Sequence, residues 1–125
     1  MSILLAVALQ LSPATDADFR TRVTQAKLAE GATTGPAYQK QMWDRIGNAT
    51  TDAFKACLAS VQPPDKSPFT LVADVALDGR LSRIAVQPET PVAQCMASHF
   101  ASWTLPAPPA KPAPYPVEVD FSIKQ

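Results

Sequence analysis

Two cysteines and a single histidine, Cys57, Cys95 and His99, are the side chains of this 125-residue sequence best suited to covalent or coordination chemistry. Cys57 lies near the end of a run of apolar residues spaced by three and four, and Cys95 and His99 stand four residues apart in a second such run. Two core-facing thiols in an oxidising compartment form a structural disulfide. Two buried free thiols, common in protein cores, are the other form such a pair takes. A closed metal site needs more Cys or His ligands than these three residues supply. His99 has no partner in the sequence with which to act as acid, base or nucleophile. The expectation is a disulfide between Cys57 and Cys95, with no metal, no cofactor and no catalytic residue.

The acids Asp74, Asp78, Glu118 and Asp120 fall at polar positions of alternating segments. Charges on the solvent face of a small sheet ordinarily serve solubility and edge protection. No nucleophile elbow, phosphate loop or metal motif occurs. Eleven Lys and Arg balance eleven Asp and Glu. No excess of positive charge is left for phosphates or an anionic membrane, so nucleic acid is not an expected partner.

The elements that must position these residues read from the amino terminus. Ile3 to Leu11 is almost wholly apolar and is followed by Ser12-Pro13-Ala14. That order matches the apolar core and small-residue cleavage site of a signal peptide; the alternative is an apolar segment packed on the domain. It is shorter than the roughly 20 residues that span a bilayer, so no integral membrane span is expected. Residues 15 to 125 are then one domain, since a chain of this length builds a single core.

Thr15-Asp16-Ala17-Asp18 opens a first helix, with a hydroxyl for the free amides and acids at the positive end of the dipole. Phe19, Val23 and Ala26 form its apolar stripe and Gly31 ends it. Gly35-Pro36 starts a second helix, whose apolar stripe runs through Met42, Trp43, Ile46, Ala49, Ala53, Phe54, Cys57, Leu58 and Val61, with Gly47-Asn48 as a weak point inside it.

After Pro63-Pro64 the period changes to two. Phe69, Leu71, Ala73, Val75 and Leu77 predict a largely buried strand, Asp78-Gly79 a tight hairpin, and Leu81 to Val86 a returning strand. Thr90-Pro91 caps a third helix carrying Val92, Cys95, Met96, His99, Phe100 and Trp103. A proline-rich connector leads to a final strand with Tyr115, Val117, Val119, Phe121 and Ile123 on one face and Pro116, Glu118, Asp120, Ser122 and Lys124 on the other, the second face wet. Pro116 cannot donate to a ladder and suits an edge. The first strand, the most apolar, is then central and the order is second, first, last.

Strand, Asp78-Gly79-Arg80-Leu81, strand, Val92-Ala93-Gln94-Cys95, Trp103-Thr104-Leu105-Pro106-Ala107-Pro108 and a closing alternating strand together resemble the TonB carboxy-terminal domain family. The paired cysteines narrow the resemblance to its gliding-motility variant, the AgmX or PglI type. It covers Asp52 to Lys124 and leaves the first helix and most of the second outside. It implies an α+β sandwich of helices on a three-stranded antiparallel sheet, a periplasmic location, protein or peptide partners and no enzyme activity. A spanning anchor and a long proline-rich spacer, which an energy transducer of the family uses, are absent from these residues.

The expected function is a stand-alone periplasmic interaction module. It would take a protein or peptide by strand addition along Tyr115, Val117, Glu118, Val119, Asp120 and Phe121, an edge that Pro116 and Lys124 could equally serve to shield. The alternative is a periplasmic immunity or inhibitor protein against a secreted toxin.

Overall fold

A computed structural model of the chain describes residues 15–63 and 65–123. The apolar segment read as a signal peptide, Pro64 and Lys124 lie outside them. The fold is α+β, with the elements in the order α1 (Asp16–Gly31), α2 (Gly35–Ser60), β1 (Phe69–Val75), β2 (Leu81–Gln87), α3 (Pro91–Ala101) and β3 (Tyr115–Phe121). The strands form one antiparallel sheet in the order β2-β1-β3, as expected.

The helix starts follow local chemistry. The Thr15 hydroxyl accepts from the Asp18 amide at 3.1 Å, and Asp16 and Asp18 sit in the first turn of α1. Thr90 does the same for Ala93 at the start of α3. α2 has Pro36 in its first turn and continues through Gly47-Asn48 without a break.

β1 stops at Val75, short of the expected Leu77. Ala76 to Gly79 close the turn instead, with the Gly79 amide donating to the Ala76 carbonyl at 2.8 Å and Leu77 left exposed. Gly79 has φ of +88° and accepts at its carbonyl from the Leu105 amide at 2.9 Å. A side chain there would meet both the strain of positive φ and the Leu105 carbonyl. This contact ties the proline-rich connector to the hairpin.

One sheet face carries Phe69, Leu71, Ala73 and Val75 of β1 beside their partners Phe121, Val119, Val117 and Tyr115 of β3. It packs under Met42, Ile46 and Ala53 of α2 and Val92, Met96 and Phe100 of α3. Phe69 and Phe121 stack with ring centroids 4.7 Å apart, and Tyr38 meets Tyr115 edge-on at 5.1 Å. Each fully buried large side chain contributes about 1.5 to 3 kcal/mol. The buried stripe of α2 is Tyr38, Met42, Ile46, Thr50, Ala53 and Cys57. Trp43 and Ala49, whose spacing placed them in the core, are exposed, because the stripe drifts round a long helix and takes Thr50 in their place.

The opposite sheet face is not the wet surface expected. α1 lies across it with Phe19 and Ala26 buried, and its cations reach the strand acids. Arg22 Nη2 is 3.5 Å from Asp74 and Lys27 Nζ is 3.6 Å from Glu118. Asp74 and Glu118 are only 6% and 8% exposed. Asp120 stays exposed and accepts from the Thr70 hydroxyl of β1 at 2.6 Å.

β2 holds one extra residue between the partners of Val72 and Asp74, a bulge in which Arg83 has φ of +51°. The bulge is clamped twice. The Arg83 guanidinium donates to Asp74 at 2.9 Å, and Arg22 donates to the Arg83 carbonyl at 2.7 Å.

Candidate functional site

Among the described residues β3 is hydrogen-bonded to β1 on one side alone, so its other edge has no strand partner there. α2 runs beside that edge, and the two elements wall a groove of about 500 Å³. Gln39, Trp43, Thr50, Thr51, Phe54 and Lys55 line it from α2, and the segment from Glu118 to Ser122 lines it from β3. Gln39, Trp43, Thr50 and Phe54 recur at four, eleven and fifteen residues, the spacing of one helix face. The apolar wall is built from Trp43, 37% exposed, and Phe54, whose ring lies 5.3 Å from that of Phe121.

An unpaired strand edge beside an amphipathic groove can receive an extended segment. The main-chain ladder supplies affinity and the groove reads alternate side chains.

The residues expected to make this edge are thus in one place, though most of their side chains are not offered to a partner. Tyr115 is buried and donates its hydroxyl to the Ala29 carbonyl at 3.4 Å. Val117, Val119 and Phe121 point into the core and Glu118 lies under α1. What remains accessible is the strand backbone, Asp120 and the rim of the groove. The α2 half was missed in sequence because Trp43 and Phe54 fit an apolar helical stripe and were counted as core.

Glu118 has the most perturbed carboxyl of the site, pushed up from 4.5 to about 7. Burial is the largest cause, followed by its contact with Glu30 at the end of α1 and by nearby Asp120, while Lys27 opposes the shift. Glu118 Oε1 and Glu30 Oε2 are both buried with no hydrogen-bond partner among the described residues. A proton on Glu118 lets the two carboxyls share one hydrogen bond.

The folded state therefore retains a proton that the unfolded chain gives up, and the resulting stabilisation is complete below about pH 4.5 and lost as pH rises through about 7. Because the carboxyl also borders the open groove, where water screens it, the loss across that window is expected to be about 1 to 2 kcal/mol. Glu118→Gln, which stays neutral, should remove this component of the slope and be the more stable form at pH 8. Urea unfolding of both proteins from pH 5 to 8 measures the difference, and parallel curves would contradict it.

The cysteines form the expected bond, Cys57 to Cys95, with their Cα atoms 5.8 Å apart. It joins the last turn of α2 to α3. His99, one turn beyond Cys95, is partly buried beside Trp103, with ring centroids 6.3 Å apart. The two sulfurs and an imidazole nitrogen all lie within 4.8 Å of one another.

No family model, curated protein or solved structure matches the chain. Among the described residues no helix is long and apolar enough to cross a membrane. The fold and its site define an α+β protein with an open sheet edge and a disulfide of the kind that oxidising compartments maintain.

Proposed function

We propose that the protein is a periplasmic, non-enzymatic interaction module, similar to the two-cysteine TonB carboxy-terminal type, that binds an extended peptide or protein segment along β3. The observation that carries this reading is the unpaired outer edge of β3 facing the Trp43 and Phe54 wall of α2 across an open groove. The disulfide supports an oxidising location. The sequence pattern from Asp78-Gly79 to Trp103-Thr104-Leu105-Pro106 supports the family resemblance.

Peptides selected from a random library against the purified protein provide the test. When they are titrated into isotope-labelled protein, amide shifts should concentrate on residues 117 to 122 and on the groove face of α2. Trp43→Arg places a charge in the groove from an exposed position and should reduce affinity about tenfold or more while the melting temperature stays within a few degrees. Shifts centred elsewhere, or unaltered affinity in Trp43→Arg, would refute the site.

A further inference from the structure

Cys57, Cys95 and His99 meet where the last turn of α2 packs on α3. Cys57 is wholly buried, whereas Cys95 and His99 stand four residues apart on α3 and are both partly exposed. One helical turn places Cys95 and His99 on the same side of α3, facing Cys57. The three donor atoms lie within 4.8 Å of one another. In a tetrahedral zinc site, metal–sulfur bonds of about 2.3 Å and metal–nitrogen bonds of about 2.0 Å set neighbouring donors roughly 3.3 to 3.8 Å apart. The three side chains thus need only small rotations to enclose one ion.

The disulfide form cannot do this, since its sulfurs carry no thiolate charge. Reduction by a dithiol breaks the Cys57–Cys95 bond. Each sulfur gains one electron and one proton, and the dithiol leaves as its own disulfide. Zinc then displaces both thiol protons, and two thiolates with a neutral imidazole give a donor set suited to a borderline d10 cation. The two thiolate charges balance those of zinc, so a half-buried site gains no net charge. The partly exposed side beside His99 leaves the fourth position to water.

We propose that the reduced protein binds one zinc ion through Cys57, Cys95 and His99, so that a metal link replaces the disulfide between α2 and α3 when the bond is opened. The sequence alone argued against a metal because three ligands fall short of a closed site; the packing of α2 on α3 makes three converging donors and one open position instead. The site is independent of the β3 edge.

Zinc itself is the probe, with untagged full-length protein and a chromogenic chelator as competitor. The oxidised protein should take up none, and protein reduced by a water-soluble phosphine should take up one equivalent. Cobalt in place of zinc should give thiolate-to-metal charge transfer and tetrahedral ligand-field bands. His99→Ala retains the disulfide and is checked for native folding in the oxidised form. After reduction it should bind zinc about tenfold or more weakly.

Should the reduced, metal-free chain lose structure, zinc should restore the native circular dichroism spectrum and raise the melting temperature. The proposal is overturned if the reduced protein binds no more zinc than the Cys57→Ser/Cys95→Ser variant. Equal affinity in His99→Ala, or a zinc-loaded chain that stays unfolded, overturns it as well.

Discussion

Replacing Cys57 and Cys95 together by alanine should lower the unfolding free energy by about 4 kcal/mol, the chain-entropy value for a link across 38 residues. The link closes a loop holding β1, β2 and the start of α3, and it ties α2 to α3, its neighbour on the same sheet face. Without it the unfolded chain regains the freedom of that whole segment, while the folded state loses only a small contact. In urea, where a chain of this size loses about 1 to 2 kcal/mol per molar, the midpoint should fall by roughly 2 to 4 M at pH 7. A drop below about 1 kcal/mol would mean that the unfolded chain is already compact around these cysteines.

Asp74→Ala should cost about 3 kcal/mol, the second large effect, because it removes the anion of a buried charge cluster. Its carboxylate binds Arg83 at 2.9 Å and Arg22 at 3.5 Å, and the Arg22 side chain is 11% exposed. Without Asp74 the Arg22 guanidinium stays under the sheet with only the Arg83 carbonyl, 2.7 Å away, to receive it.

Arg83 differs. Its side chain is 65% exposed, so Arg83→Ala loses an ion pair worth about 1 kcal/mol or less. Arg83→Gly loses the same pair yet relieves the positive φ of the bulge, by about 1 kcal/mol, and should lie close to the parent protein. Thermal or urea unfolding of the three variants orders them as Asp74→Ala, Arg83→Ala and Arg83→Gly, from least to most stable. An Asp74→Ala protein as stable as Arg83→Ala would show that Arg22 finds water.

These predictions bear on the proposed edge through its support. β3 can offer its outer backbone only if its inner ladder to β1 holds, and α1 secures that ladder from behind through Lys27 on Glu118 and Arg22 on Asp74. The Glu118 carboxyl, half in the groove wall and half under α1, couples the edge to pH.

Much of this fold was legible in the order of residues. Alternation at 69 to 75 and 115 to 121, the Asp78-Gly79 turn, and the Thr15 and Thr90-Pro91 caps are local devices whose physics needs no distant partner. Sheet order followed too, because Pro116 cannot donate in a central strand and β1 is the most apolar of the three strands. The cysteine pair was legible as a link from its place on two inward stripes.

Tertiary structure alone decided what the polar residues do. A strand whose alternate residues are Glu118 and Asp120 has the same pattern whether it faces water or a helix bearing cations. α1 gives little warning, since it buries only Phe19, Ala26 and Ala29 and meets the strand acids through the charged ends of Arg22 and Lys27. Trp43 is the mirror case, a large apolar residue at core spacing that the drift of a long helix turns out to line a groove. Periodicity reports which side of an element is apolar. Whether the polar side meets solvent, a buried partner or an open edge is set by which elements pack together, and that is a property of the whole chain.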